Sequence, residues 1–137
     1  MNIPANSNAN NDEHIRRVLE RHPCIRLAVL FGSLAKGGAR SDSDLDLAVS
    51  ADRLLDANEK MQLVAELAEA MGRPVDLVDL STVGEPLLGQ ILKGGKRLLG
   101  EDGRFAALLL KHLFDEADFM PYRRRILEER RKAWIGI

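Results

Sequence analysis

The feature that most limits how this chain can fold is a nearly continuous apolar run from Ile25 to Phe31, interrupted only by Arg26. Strands with one exposed face alternate apolar and polar residues, whereas a strand buried on both faces reads as an unbroken apolar run. The run is far too short to cross a membrane as a helix, and Gly32 ends it abruptly. The sequence therefore predicts an internal β-strand that is covered on both faces.

Hydrophobic periodicity predicts the elements that surround this strand. The predicted strands are 25–31, 44–49, 75–78 and 96–99, and the predicted helices are 11–22, 61–71, 87–92, 106–117 and 122–134. We therefore expect an α/β (α+β) fold, in which a small mixed sheet is flanked by helices and the C-terminal third is helical. Residues 1–10 are Asn-rich and are expected to form a flexible lead-in, and residues 11–137 are expected to form a single domain.

The buried faces of two of these helices can be predicted from the same spacing. The first face belongs to the helix that Gly72 ends, and it comprises Met61, Val64, Leu67, Ala68 and Met71. The second belongs to the C-terminal helix and comprises Ala106, Leu109, Leu110, Leu113, Phe114 and Ala117. The leucines of this second face suit either the core or a contact with another chain.

Charge and cysteine content narrow the classes of function. The 137 residues contain 20 Lys and Arg against 21 Asp and Glu. Because proteins that grip a nucleic-acid backbone carry a strongly basic surface, direct nucleic-acid binding is not expected. A single cysteine, Cys24, forms no internal disulfide, and the polar N-terminus lacks the basic and apolar regions of a signal peptide. We expect a cytoplasmic protein without a membrane segment.

A glycine-containing turn directly after the apolar strand is suited to binding phosphate. Gly32 removes the side chain that would block a close approach, and backbone N–H groups there, with the Ser33 hydroxyl, can surround an anion. Lys36 and Arg40 lie in the same segment, between the two predicted strands, and add positive charge that can bind a polyphosphate. The turn is therefore a candidate nucleotide-binding segment.

Two carboxylates follow on the next predicted strand. Asp44 and Asp46 point to the same side, about 7 Å apart at their Cα atoms by the rise of a strand. Mg²⁺ is bound in proteins by one or two carboxylates together with substrate phosphates. The alternative is that both residues lie on the solvated face of an edge strand. Asp is depleted in strands, and two carboxylates on one face repel each other unless a cation lies between them, so we favour a metal site.

The stretch from Gly32 to Val49 resembles a known family signature. Gly-Ser is followed, after ten residues, by Asp-x-Asp, as in the DNA polymerase β-like nucleotidyltransferase superfamily. The string GSLAKG…SDSDLDLAV is similar to the minimal nucleotidyltransferases, with Lys36 where Arg is usual. The resemblance implies the polymerase β-like core, ATP as nucleotide donor and two Mg²⁺ ions. Ser43, just before the Asp pair, is assigned with Gly32, Ser33 and Lys36 to nucleotide binding.

The resemblance also implies a third catalytic carboxylate on a later strand. Asp76 and Asp79 both lie in the segment PVDLVDL and point to opposite faces. The layout of the family favours Asp76, whereas Asp79 suits a turn or a helix entry, and Asp79 stays open as the alternative. The implied catalytic and metal-binding set is Asp44, Asp46 and Asp76.

The short chain limits the acceptor that the resemblance implies. Small stand-alone members resemble antitoxins that transfer AMP from ATP to a tyrosine hydroxyl of a helical HEPN-type toxin, and that toxin is the expected partner. Two alternatives remain. The chain could neutralise its partner by binding alone, or it could transfer a nucleotide to a hydroxyl of a small molecule. Replacing Asp44 and Asp46 together separates catalysis from binding.

Overall fold

A computed structural model of the chain describes residues 6–36 and 43–114. Its helices and strands are α1 (Asn6–Glu20), β1 (Ile25–Phe31), β2 (Leu45–Ala51), α2 (Ala57–Met71), β3 (Val75–Asp79), α3 (Leu87–Gly94) and β4 (Lys96–Leu99). Residues 102–114 are also helical. The predicted helix 122–134 lies outside the described residues.

The four strands form one mixed sheet, as the sequence predicts. Their order is β3-β2-β1-β4. Strand β1 is antiparallel to both of its neighbours, and β2 is parallel to β3. Because parallel neighbours need a crossover, α2 connects β2 to β3. This topology puts the first residues of β2 and β3 beside the last residues of β1.

The central strand β1 is covered on both faces, which confirms the interpretation of its apolar run. On one face it packs with α1 and α2, in a cluster that includes Ile15, Leu19, Ala28, Leu30, Leu45, Leu47, Leu63 and Leu67. On the other face it packs with α3, in a cluster that includes Leu27, Val29, Ala48, Leu88, Ile91 and Leu92. Leu45, Leu47 and Val49 alternate along β2 and lie on the α1–α2 face.

Helix α2 has clear start and stop signals. Asp56 caps its N-terminus by accepting the Glu59 N–H at 2.8 Å, and the Glu59 side chain accepts the Asp56 N–H in return. Gly72 ends the helix in the left-handed region, at φ 65°, where an L side chain is disfavoured. The predicted buried face is wrong at Met61, which is 69% exposed, because Leu63 occupies the core-facing position instead.

Helix α1 begins at Asn6, within the stretch expected to be a lead-in. Ile15, Val18 and Leu19 are buried, and such tertiary packing stabilises a helix well beyond its local propensity. Residues 1–5 lie outside the described residues. The extension of one domain to residue 137 stays a prediction. Among the described helices, none is both long and apolar enough to cross a membrane.

The helical segment 102–114 is rotated from its predicted orientation. Phe105, Leu108 and Leu109 pack against the α3 cluster, and His112 is buried. The His112 ring lies 2.5 Å from a Glu85 carboxylate oxygen, and this contact fixes which face turns inward. Leu110, Leu113 and Phe114 of the predicted face are instead 55%, 56% and 66% exposed, so of its two interpretations the core is wrong at these positions and a contact with another chain stays a prediction.

Candidate active site

Two of the predicted catalytic carboxylates lie side by side at one end of the sheet. Asp46 of β2 is the direct partner of Asp76 of β3 in the parallel pairing. Neighbouring strands are about 4.8 Å apart, and partners in register point to the same face. Two residues along, Ala48 and Val78 belong to the α3 cluster, so this is the α3 face of the sheet. Asp44 precedes β2 on the same side.

The negative charges of Asp44 and Asp76 act on the carboxyl group of Asp46. The pKa of the Asp46 carboxyl is raised above its ordinary value of 3.8, first by partial burial and then by the negative charges of Asp76 and Asp44. Asp44 and Asp76 are exposed, whereas Asp46 is half-buried. Three mutually repelling carboxylates would be relieved by a cation bound among them.

Gly32 has the backbone conformation and the space that the Asp46 carboxylate requires. Its φ is +73°, in the left-handed region, and a Cβ added there would lie 2.2 Å from Asp46 Oδ2. Because Phe31 pairs with Asp46 across β1 and β2, the chain turns away immediately beside this carboxylate. A glycine is therefore required both by the turn and by the close approach of Asp46.

Two of the predicted phosphate-binding residues lie in this turn, and a third, Ser43, lies just before β2. Ser33 and Lys36 are exposed in the turn after Gly32. The Ser43 carbonyl accepts a hydrogen bond from Arg73 Nη1 at 3.1 Å. Sequence reasoning missed Arg73, which ties the residue before Asp44 to the start of β3 and has no pattern that marks it in advance. Arg40 lies outside the described residues.

Asp79, the alternative third carboxylate, has a different place in the structure. It pairs with Val49 and is 9% exposed, and Val49 belongs to the α1–α2 cluster on the other face of the sheet. Its Oδ1 accepts hydrogen bonds from Ser81 N at 2.9 Å and from Ser81 Oγ at 2.6 Å. This is the pattern of a turn-forming Asp. The structure brings Asp76, and not Asp79, beside Asp46.

The donor set of this cluster suits magnesium. Within residues 6–36 and 43–114, no three acidic, His or Cys side chains converge closely enough to complete a metal site alone. Mg²⁺ does not require such a cage, because it keeps several waters and takes further oxygen ligands from substrate phosphates. Asp44, Asp46 and Asp76 supply only carboxylate oxygens, which are the ligands that this hard cation prefers.

The family of the chain follows from a comparison with known proteins. Residues 13–104 match the family described as "Polymerase beta, Nucleotidyltransferase". The chain belongs to this nucleotidyltransferase family. The matched segment contains the turn at Gly32 and all three candidate carboxylates.

Three known proteins are similar to this nucleotidyltransferase in sequence or structure. Over 91 residues it is 36% identical to the protein adenylyltransferase MntA of Shewanella oneidensis, and the match spans 66% of each protein. A chain of a toxin–antitoxin complex crystallised with AMP-PNP is 31% identical, with a TM-score of 0.77 over 87% of this chain and 97% of that one. A chain of the tri-AMPylated Shewanella oneidensis HEPN toxin in complex with MNT antitoxin is 29% identical, with a TM-score of 0.73 over 89% and 97%.

The two candidate third carboxylates of this nucleotidyltransferase can be separated by matched substitutions. Asp76→Asn is expected to lower the rate of nucleotide transfer at least tenfold more than Asp79→Asn does, because only Asp76 lies beside Asp46. Asp79→Asn is expected to act mainly on thermal stability, since it weakens the turn at Ser81. The measurement is the rate of transfer together with the melting temperature of each variant. A larger rate loss at Asp79 would contradict the assignment of Asp76.

The raised pKa of Asp46 gives this nucleotidyltransferase a testable pH dependence. In the metal-free protein the folded state holds the Asp46 proton more tightly than the unfolded state does. The free energy of unfolding therefore contains a contribution that falls as pH rises from below 3.8 through the raised pKa. Asp46→Asn removes this contribution, so the variant is expected to melt at a higher temperature than the parent at neutral pH.

The measurement is the difference in melting temperature between parent and Asp46→Asn without divalent cations, from about pH 4 to pH 7. The amount by which the melting temperature of Asp46→Asn exceeds that of the parent is expected to grow with pH across this range. Added Mg²⁺ is expected to stabilise the parent and to have less effect on the variant. A variant that is less stable than the parent at neutral pH would show that the Asp46 charge is not repelled.

Proposed function

We propose that this chain is a Mg²⁺-dependent protein adenylyltransferase that transfers AMP from ATP to a hydroxyl, expected to be a tyrosine, of a HEPN-type toxin, and so acts as its antitoxin. The observation that carries the proposal is the in-register pair Asp46 and Asp76 beside the turn at Gly32. The likeness to the adenylyltransferase MntA and to chains of toxin–antitoxin complexes supports it.

In this proposal the turn after β1 binds the triphosphate of ATP. The left-handed backbone at Gly32 turns the chain at Asp46, and the exposed Ser33 hydroxyl follows directly. Lys36 supplies a positive charge to the phosphates, and Ser43 lies next to Asp44 at the end of the segment that connects β1 to β2. The β- and γ-phosphates would contact the turn, which leaves the α-phosphate near the carboxylates.

The reaction forms one P–O bond and breaks another. The acceptor oxygen attacks the α-phosphorus, the bond from that phosphorus to the bridging oxygen of the β-phosphate breaks, and pyrophosphate leaves. Asp44, Asp46 and Asp76 would hold two Mg²⁺ ions, which supply charge neutralisation and alignment when bound. Asp76, exposed at the edge of this cluster, can accept the proton of the acceptor hydroxyl. Positioning and electrostatics supply most of the rate in such transfers.

The exposure of the carboxylates favours a protein as the acceptor. Asp44 and Asp76 are exposed, so a hydroxyl presented on the surface of another folded protein can reach them. Small-molecule acceptors are normally enclosed in a concave pocket that surrounds most of their surface. Because ATP is the donor, the proposed location of the reaction is the cytoplasm. The proposal requires contact with the toxin and ATP, and it involves neither direct nucleic-acid binding nor a membrane.

The position of a radioactive label in ATP tests the proposed bond changes. The chain, Mg²⁺ and a HEPN-type toxin, the proposed partner, are incubated with ATP labelled at either the α- or the γ-phosphate. Transfer of AMP predicts label on the toxin from the α-position only. Label from the γ-position would indicate phosphorylation instead. Neutralisation of the toxin without label would favour action by binding alone, and labelling of a free small hydroxyl compound would favour the third alternative.

A further inference from the structure

An ion pair between the buried carboxylate of Asp12 and the half-exposed side chain of Lys96 lies next to the candidate phosphate-binding turn. Asp12 of α1 is only 5% exposed, and Lys96 Nζ at the start of β4 bonds to its carboxylate. Asp12 shares the inward face of α1 with Ile15 and Leu19, which are both in the core. A carboxylate at such a position costs free energy unless a partner compensates it, and Lys96 is that partner.

The ion pair and the turn enclose the same space. Lys96 pairs with Leu30 across β4 and β1, two residues before Gly32. A small cavity of about 30 Å³ is lined by Asp12 and Lys96 and also by Leu34 and Ala35 of the turn. Leu34 and Ala35 pack against the same cluster as Ile15. The ion pair and the turn that carries Ser33 and Lys36 therefore line the same small cavity.

A second contact joins α1 to β4 without reaching the turn. Arg16 Nε donates a hydrogen bond to the Leu98 carbonyl at 2.9 Å. Leu98 lies two residues farther along β4 than Lys96. This contact also joins α1 to β4. Its removal therefore tests whether weaker attachment of α1 is by itself enough to disturb the turn.

We propose that Asp12 and Lys96 are positioning residues for the nucleotide-binding turn. Their ion pair fixes α1 and the first residue of β4 beneath Leu34 and Ala35, and so sets the backbone of the turn at the spacing that triphosphate binding needs. The inference rests on the proposed function, because it assigns the turn to ATP. Neither residue needs to touch the nucleotide or the reacting atoms.

The expected kinetic signature is a change in KM rather than in kcat. In the proposal the turn contacts the β- and γ-phosphates, away from the attacked α-phosphorus, and the part of this binding that is common to the ground state and the transition state affects KM rather than kcat. Asp12→Asn and Lys96→Met are each expected to raise the KM for ATP roughly tenfold with kcat nearly unchanged. The double variant is expected to be no worse than either single variant, because both remove the same ion pair. Lys96→Arg, which keeps the charge, is expected to restore most of the affinity.

The experiment measures the KM and kcat of AMP transfer and, independently, the Kd of AMP-PNP with Mg²⁺. Arg16→Met is the matched control and is expected to leave both constants near those of the parent. If Lys96→Met does not fold because the Asp12 charge is left without a partner, the double variant is measured instead, since it removes that charge as well. Melting temperatures of all variants are compared with that of the control.

The outcomes separate this inference from the proposed function. Unchanged AMP-PNP binding in Asp12→Asn and in the double variant would overturn it, and so would an equal loss in Arg16→Met. A loss in Lys96→Met but none in Asp12→Asn would mean that Lys96 binds phosphate directly, which also contradicts the inference. Absence of AMP transfer by the parent chain would contradict the proposed function, while AMP-PNP binding would still test the ion pair.

Discussion

Replacing Asp44 and Asp46 together by asparagine is expected to reduce AMP transfer roughly 10³-fold or more. Asparagine keeps the size of each side chain and removes the negative charges that are proposed to bind Mg²⁺, including the Asp46 charge that Asp76 repels. The variant is therefore expected to fold and to retain its complex with the toxin. The measurement is the rate of transfer at saturating ATP and Mg²⁺, together with the melting temperature and co-purification of the partner.

A matched control removes two aspartates elsewhere on the surface. Asp52 and Asp102 form ion pairs with Arg26 and Arg97, and their side chains are 45% and 94% exposed. Asp52→Asn with Asp102→Asn is expected to leave transfer within about twofold of the parent, since exposed ion pairs contribute little. If the Asp44 and Asp46 variant transfers AMP at the rate of this control, the catalytic assignment is wrong.

Gly32→Ala is expected to have the second largest effect. The new methyl group would meet Asp46 Oδ2 at 2.2 Å, so the carboxylate or the turn must move. A shift of about 1 Å in a group that positions a reaction can cost about 10²-fold in rate. The φ of +73° adds a strain of about 1–2 kcal/mol for any L side chain. Transfer rate and free energy of unfolding are both expected to fall.

Gly72→Ala is the matched control for this prediction. Gly72 has nearly the same backbone angle, φ +65°, but a Cβ there would meet nothing within 4 Å. Gly72→Ala is expected to be destabilised by a similar backbone strain and to keep its transfer rate. The difference between the two variants isolates the contact with Asp46. Equal transfer rates would show that the position of this carboxylate does not depend on Gly32.

The sequence predicted the sheet well because its strands have strong, short-range patterns. The apolar run from Ile25 to Phe31 required two covered faces, and the alternation along β2 put Leu45 and Leu47 on one face. Gly72 marked the end of α2. The motif from Gly32 to Asp46 is also local, and its resemblance to a family signature assigned both residues to one site, whereas the close approach of Asp46 to Gly32 is seen only in the structure.

Features that depend on distant packing were harder to predict. The segment 102–114 is apolar on more than one side, and the contact of His112 with Glu85, 27 residues earlier, decides which side is buried. The choice between Asp76 and Asp79 depends on the register of β3 against β2. Asp12 carried a weak signal, since it lies at helical spacing from Ile15 and Leu19, but its partner Lys96 is 84 residues away.

The most direct test of the central claim is intact mass spectrometry of a HEPN-type toxin, the proposed partner of this chain. The toxin is incubated with the chain, ATP and Mg²⁺, and in parallel with the Asp44→Asn, Asp46→Asn variant. A mass gain of one or more AMP units with the parent chain, absent with the variant, is the predicted result. An unchanged toxin mass in a stable complex, or an equal gain with the variant, would contradict catalysis by these carboxylates.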